Sequence, residues 1–285
     1  MGGSYWVMAT MTQPAAPPAL QTTDPALGAY EPLAPFYDRF TEGYEYVRWL
    51  EAIEIWALAH GLRGRRVLDA ACGTGKSFEP LLAKGYEVSA CDLSPAMVAE
   101  ARAKAAGRAE IVVADMRELP WRSQFDLITC LDDAVNYLLT PDDLDAALGS
   151  MAGALRPHGI LAFDTNSLGT FRTTFAEEFE VAAGGTRFRW RGEGNLDAEP
   201  GEVSSATIEI DAEDGVLESR HVERHWSVAA LRAACVRAGF RQVVFRGQVT
   251  GGRLVGEPDE IRHPKVMCLA VRSQPKGGGH MIIKS

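Results

Sequence analysis

From Arg66 onward, short apolar runs and amphipathic segments alternate along the chain. "RRVLDA" reads as a buried strand, and "SFEPLLAKG" carries helical spacing that stops at Gly85. "YEVSACD" is a second strand, and "SPAMVAEARAKAAG" a helix with Ser94 at its cap and Pro95 in its first turn. "AEIVVAD" and "FDLITCL" follow as third and fourth strands. "PDDLDAALGSMAGALRPHG" is a helix that leads into a fifth strand, "ILAFDTN". Strands that alternate with helices in this way pair in parallel, because each helix is the crossover that returns the chain. The expected fold is therefore α/β, a doubly wound Rossmann-like sheet.

The period changes after about Ser167. "EFEVAAGGTRFRWRGEGN", "SSATIEIDAEDG" and "VLESRHVERHWS" alternate with period two between turn-forming residues, as antiparallel strands do. The helix "AALRAACVRAGF" and the strands "RQVVFRGQV" and "VMCLAVR" then return to the main sheet. Upstream, "YEPLAPFYDRFTEGYEYVRWLEAIEIWALAHGL" has helical spacing and stops at Gly61. These patterns divide the chain into a disordered tail (1–28), an N-terminal helical lid (29–62) and a cofactor-binding core (63–168). An antiparallel β insertion that caps the substrate (169–226), the C-terminal part of the core (227–273) and a second tail (274–285) complete it.

Composition narrows the class. The chain has 285 residues, 46% apolar and 24% charged, as soluble globular proteins do. A formal charge of −9 argues against a nucleic-acid partner, which needs clustered Lys and Arg. The five cysteines are scattered without a Cys-x-x-Cys pair, so reduced buried thiols are expected rather than disulfides or a metal site. No apolar run reaches membrane-spanning length, and the Pro- and Ala-rich start lacks a secretory pattern; a cytoplasmic location is expected.

The loop after the first strand, "DAACGTGKS" (Asp69 to Ser77), admits three cofactor readings. It ends like a phosphate loop, Gly75-Lys76-Ser77, which with Asp115 or Asp132 holding magnesium would suit a nucleotide hydrolase. A dinucleotide fingerprint needs a glycine where Phe78 stands. The third reading rests on acids at the next two strand tips, Asp92 and Asp115. Asp92 is placed to accept from ribose hydroxyls and Asp115 from an adenine amine. Met97 and Met116 would supply apolar contact, and Asp69 is placed to receive an ammonium. Acids at all three places suit a cationic ligand without phosphates, such as S-adenosyl-L-methionine. Lys76 is then expected to sit solvated at the start of its helix.

In sequence order, "VLDAACGTG", "CDLSPAM", "VVADM" and "FDLITCLDDAVNYL" resemble the successive motifs of class I S-adenosylmethionine-dependent methyltransferases. The resemblance covers roughly residues 66–166. It implies a seven-stranded, mostly parallel sheet with an antiparallel last strand. It also implies cofactor contacts from Asp69, Ala71, Gly73, Gly75, Asp92, Leu93, Asp115, Met116 and Leu131. More narrowly, the chain resembles amino-sugar N-methyltransferases, which carry an N-terminal "YD" helix and a strand-rich insertion; this implies Tyr37 near the methionine portion and a small-molecule methyl acceptor.

Acceptor chemistry is expected at the fourth-strand tip, where "CLDDAVNYL" gathers Asp132, Asp133, Asn136 and Tyr137. Asp164 and Asn166, at the fifth, are similar candidates. Asp132 and Asp133 there could orient an amine, which favours methylation at nitrogen. A hydroxyl acceptor would need a base, and His221 or His225 would supply it. His221, Glu223 and His225 alternate onto one strand face, for which solvation is the simpler expectation than a cluster. Arg187, Arg189 and Arg191 share a face too, expected to be a charged exterior with Phe188 and Trp190 packed inside.

Overall fold

The computed structural model describes residues 24–213 and 215–273; the tail expectations for 1–23 and 274–285 lie outside them. The chain enters through α1 (Pro25–Leu33), a 3₁₀ turn, α2 (Tyr37–Phe40) and α3 (Tyr46–Ala59). Helix α1 starts inside the stretch assigned to a tail because Asp24 caps it, accepting from the Ala26 amide at 2.9 Å, with Pro25 in the first turn. The core then runs β1 (Arg66–Ala70), α4 (Glu79–Ala83), β2 (Glu87–Asp92), α5 (Pro95–Ala105), β3 (Glu110–Val113), β4 (Phe125–Cys130), α6 (Pro141–Ala154) and β5 (Leu155–Asn166). After α7 (Leu168–Arg172) come β6 (Glu178–Ala183), β7 (Thr186–Gly192), β8 (Val203–Ala212) and β9 (Gly215–Arg224). The chain closes with α8 (Val228–Arg237), β10 (Phe240–Val249), β11 (Arg253–Leu254) and β12 (Lys265–Arg272).

Among the described residues the main sheet has the order β11-β10-β12-β5-β4-β1-β2-β3. Strands β1 to β5 pair in parallel, and β12 is antiparallel to both β5 and β10. The seven expected strands gain an eighth, the two-residue β11, where the chain folds back so that Leu254 pairs with Gln248. Alternation along β5 sends Leu161 and Phe163 to one face and Ile160 and Ala162 to the other. The first face packs on α6 and α8 through Leu144, Leu148, Met151 and Leu231; the second packs on α3 and α5 through Leu50, Ile53, Val98 and Ala101. Each buried Leu or Met of this kind stabilises the fold by about 1.5–3 kcal/mol. Both faces of the sheet are thus covered among the described residues, which leaves the strand ends to bind a ligand.

Strands β6 to β9 form a separate antiparallel sheet in sequence order. Its inner face, Phe188, Ile208 and Ile210, packs on Leu33, Phe36, Tyr37 and Phe40 of the N-terminal helices. Arg187, Arg189 and Arg191 face outward and pair with Asp211, Glu180 and Glu209. Lid and insertion therefore share a small core above the carboxyl ends of the parallel strands. No helix among the described residues is long and apolar enough to cross a membrane.

Candidate active site

Strand β1 lies between β2 and β4, so strand order reverses beside it, and a crevice opens at the carboxyl ends there. The loop leaving β1 turns through two left-handed residues, Ala71 (φ 59°) and Gly73 (φ 52°). Asp92 holds that loop: one carboxylate oxygen accepts from the Gly73 amide at 2.8 Å, the other from the Ser94 amide at 2.9 Å. The Gly75 amide donates to the Cys72 carbonyl at 2.9 Å. Loop amides spent in this way cannot cradle a phosphate, which counts against the nucleotide-hydrolase reading.

Ala71, Cys72, Gly73, Leu93, Ala114, Met116 and Leu131 give the cleft an apolar lining, with Asp92 and Asp115 set into it. Arg117 forks onto Asp115 and also reaches Asp24 at 2.6 Å and Asp143 at 3.1 Å. That cation pins the start of α1 to the tip of β3 and makes α1 a roof. Asp115 is therefore an anchor for Arg117 as well as part of the lining.

The N-terminal helices line the other side. The hydroxyls of Tyr37 and Tyr46 both donate to one oxygen of Asp132, at 2.9 and 3.0 Å. Tyr30 meets Tyr137 at 3.0 Å, and Tyr137 meets His221 Nδ1 at 2.6 Å. Lys76 donates to the Thr41 carbonyl at 2.7 Å; it is a half-buried tether, and the expectation of a solvated Lys76 is corrected.

Behind Asp132 lies a buried charge cluster. Asp132 and Asp133 both adopt left-handed backbone, φ 63° and 55°, and their amides donate to Asp164 at 2.6 and 3.1 Å. Such strain persists only where surrounding bonds over-determine it. Lys265 donates to Asp132, Asp133 and Asp164. Burial opposes its charge, yet Asp133, Asp164 and Asp132 together hold its ammonium well above the usual range. Burial pushes Asp133 up to about 6 against the pull of Lys265, and it pushes Glu223 up too, with the Asp133 charge adding. Glu223 accepts from the Asn166 amide group at 2.8 Å.

Residues 67–159 match the family described as a methyltransferase domain. The YqeM protein of Bacillus subtilis is 36% identical over 141 residues, 48% of this chain; the chain spans 56% of that relative's length. The dTDP-3-amino-3,4,6-trideoxy-alpha-D-glucopyranose N,N-dimethyltransferase of Streptomyces venezuelae is 28% identical over 200 residues, 67% of this chain and 82% of that one. The crystal structure of an S-adenosylmethionine-dependent methyltransferase from Clostridium acetobutylicum superposes with a TM-score of 0.70 at 24% identity, covering 86% of this chain and 99% of that one. Residues 67–159 are a methyltransferase domain, on the fold of S-adenosylmethionine-dependent methyltransferases.

The cleft of this methyltransferase domain fits that cofactor. Each oxygen of Asp92 takes one main-chain amide and keeps a lone pair, as two ribose hydroxyls require. The apolar residues beside it suit an adenine, and the acids suit a cation. Tyr37, Ala71, Gly73, Asp92, Leu93, Asp115, Met116, Leu131, Asp132 and Tyr137, all expected at the site, line this one cleft.

Other residues expected at the site sit elsewhere. Asp69 is buried beneath the loop, where Thr129 (2.7 Å) and Ser77 donate to it, and it supports the loop from below. At Gly75 (φ 89°) an added Cβ would stand 2.6 Å from Phe78; this glycine serves ring packing. Met97 is core, its amide capped by Ser94 at 3.1 Å. Asn136 is fully buried, donating to the Arg224 carbonyl and accepting from the Asn166 amide, both at 2.9 Å. Asp133 lies behind Asp132, against Lys265.

His225 is the largest correction. Strand β9 ends at Arg224, so the alternation that would align His225 with His221 stops one residue short. Its ring packs edge-on against Phe171, accepts from the Gly201 amide at 3.2 Å and lies 3.4 Å from Glu260, away from the cleft. The face carrying His221 and Glu223 is buried, not solvated, because the lid covers it. Tyr30, Tyr46, Lys76 and Lys265 went unrecognised as site residues; the four tyrosines at 30, 37, 44 and 46 were the signal for the first two, and the lysine opening an apolar strand for the last.

Proposed function

We propose that this chain transfers a methyl group from S-adenosylmethionine to the nitrogen of a small molecule, an amine on a sugar-like scaffold. The cofactor supplies an electrophilic methyl group on a sulfonium sulfur. Ala71, Gly73, Asp92, Leu93, Asp115, Met116 and Leu131 would hold it. Resemblance to the dTDP-amino-sugar N,N-dimethyltransferase supports the acceptor class.

One observation carries the choice of nitrogen. Among the described residues, no histidine lines the cleft; its acceptor end is formed by Tyr30, Tyr37, Tyr46 and Tyr137 around Asp132. A hydroxyl nucleophile needs a base at its oxygen, whereas a neutral amine attacks without one and loses its proton afterwards. An amine next to a bare carboxylate would stay protonated. Lys265, 3.1 Å from Asp132, balances that charge and lets the amine be neutral. Alignment by the tyrosine ring and the roofing helix is then the main catalytic contribution, worth roughly 7–11 kcal/mol in well-oriented systems.

Turnover of methyl-labelled S-adenosylmethionine against a panel of amino sugars, their nucleotides, other amines, phenols and carboxylic acids tests this reading. Label is expected in the amino sugars. Label in phenols or acids with none in amines would overturn it.

A further inference from the structure

The hydroxyl hydrogens of the acceptor end are all committed away from the acceptor. We infer that Tyr30, Tyr37, Tyr46 and Tyr137 present only oxygen lone pairs to it, so that the chamber selects a group bearing N–H hydrogens and rejects a carboxylate or phenolate. This deepens the N-methylation reading and rests on it.

The polarity follows from one main-chain carbonyl. Ser219 lies on β9, buried, with its hydroxyl 2.7 Å from the Ala29 carbonyl of α1, which can only accept. The Ser219 hydrogen is therefore spent there, and Ser219 offers His221 Nε2, 2.9 Å away, only a lone pair. Nε2 must carry the ring hydrogen. In a neutral imidazole Nδ1 is then bare, and it accepts from the Tyr137 hydroxyl at 2.6 Å. With its hydrogen used, Tyr137 can only accept from Tyr30 at 3.0 Å. The wire thus runs one way, from Tyr30 to His221, and ends with bare lone pairs on Tyr30.

The other half of the ring reaches the same state separately. Tyr37 and Tyr46 both donate to the Asp132 carboxylate, which Lys265 accompanies. The donors nearby are spent as well: Lys76 on Thr41, and Ser77 on Asp69. An amine with its hydrogens meets matching acceptors. At the tyrosines an anion meets only lone pairs, and polar groups left unmatched there are costly.

Burial holds His221 down to about 4, so it is neutral near pH 7. Were it charged, Nδ1 would donate and the whole wire would reverse, which makes its protonation state the decisive observable.

Nitrogen NMR of histidine-labelled protein reads this directly, with the His221→Gln variant assigning the signals. A neutral His221 with hydrogen on Nε2 is expected; hydrogen on Nδ1, or a charged ring at pH 7, would overturn the wiring. In Ser219→Ala the anchor is gone, and a mixture of tautomers should appear. With the acceptor panel, the ratio of amine to carboxylic-acid turnover should then fall about tenfold. An unchanged ratio despite a changed tautomer would overturn the selectivity. If Ser219→Ala does not fold, the native spectrum still decides. Methylation of phenols or acids but of no amine by the native protein would defeat the N-methylation reading, while the His221 spectrum judges the wiring on its own.

Discussion

Lys76 Nζ donates to the Thr41 carbonyl at 2.7 Å and to the Thr41 hydroxyl at 3.0 Å, joining the loop after β1 to the turn that ends α2. The same turn carries Tyr37 toward the cleft. Lys76→Met should therefore loosen the lid and weaken S-adenosylhomocysteine binding about tenfold, one charged hydrogen bond's worth. Calorimetry measures it; unchanged affinity with unchanged amide exchange in the lid would show the tether to be idle.

Asp92 serves the loop and the cleft together. Asp92→Ala strands the amides of Gly73 and Ser94, at roughly 1–3 kcal/mol each if they stay buried. Stability should fall by that order, and S-adenosylhomocysteine affinity with it. Denaturant unfolding and calorimetry on the same sample separate the two losses.

Lys265 sits among Asp132, Asp133 and Asp164, and its removal leaves buried carboxylates without a cation. Lys265→Met should destabilise the fold by about 3–5 kcal/mol. Adding Asp133→Asn should recover part of that loss. A double mutant no more stable than the single one would show that Asp133 is not the charge Lys265 offsets.

Burial pushes Asp69 up to about 6, against the hydroxyls of Ser77 and Thr129. Unfolded, a carboxyl of this kind titrates near ~3.9. The native state thus holds a proton that the unfolded state has lost, and stability falls as pH rises from about 4 to about 6, by roughly 3 kcal/mol. His221 works the other way, since its depressed value removes stability as pH falls from about 6.5 to about 4. Asp69→Asn should cancel the first slope and leave the second, so the variant gains stability relative to the native protein as pH rises from 4 to 7. Unfolding curves across that range check the sign.

His225 faces Phe171 and Glu260, away from the cleft. His225→Gln should leave kcat and KM within about twofold and lower stability by roughly 1 kcal/mol, through the bond from the Gly201 amide. A large loss of kcat in a folded variant would return His225 to the chemistry.

Much of the cleft was legible because its residues stand at strand tips that alternation alone locates. Asp92, Asp115, Leu131 and Asp132 each follow a run whose period marks it as a parallel strand, and such ends converge in any doubly wound sheet. Lys265 was not legible, since it opens a strand 101 residues after Asp164 and meets the acids only because β12 pairs with β5, Lys265 opposite Asn166. The direction of the Tyr30–Tyr137–His221 wire was hidden for a similar reason: it is set by the carbonyl of Ala29, 190 residues from Ser219.

By itself, then, the amino-acid order determined the sheet, the position of the loop after β1 and the acids at the strand tips. These follow from local periodicity and from the geometry of crossovers, which nearby residues dictate. Which acids face the ligand was decided only by tertiary structure. Asp69 and Asp92 look alike in sequence, yet hydroxyls enclose one while the other lines the cleft. Lys76 changed most, from a solvated side chain to a bridge, because the chain that receives it lies 35 residues upstream. A side chain's role depends on what packs over it, and that partner comes from far along the chain.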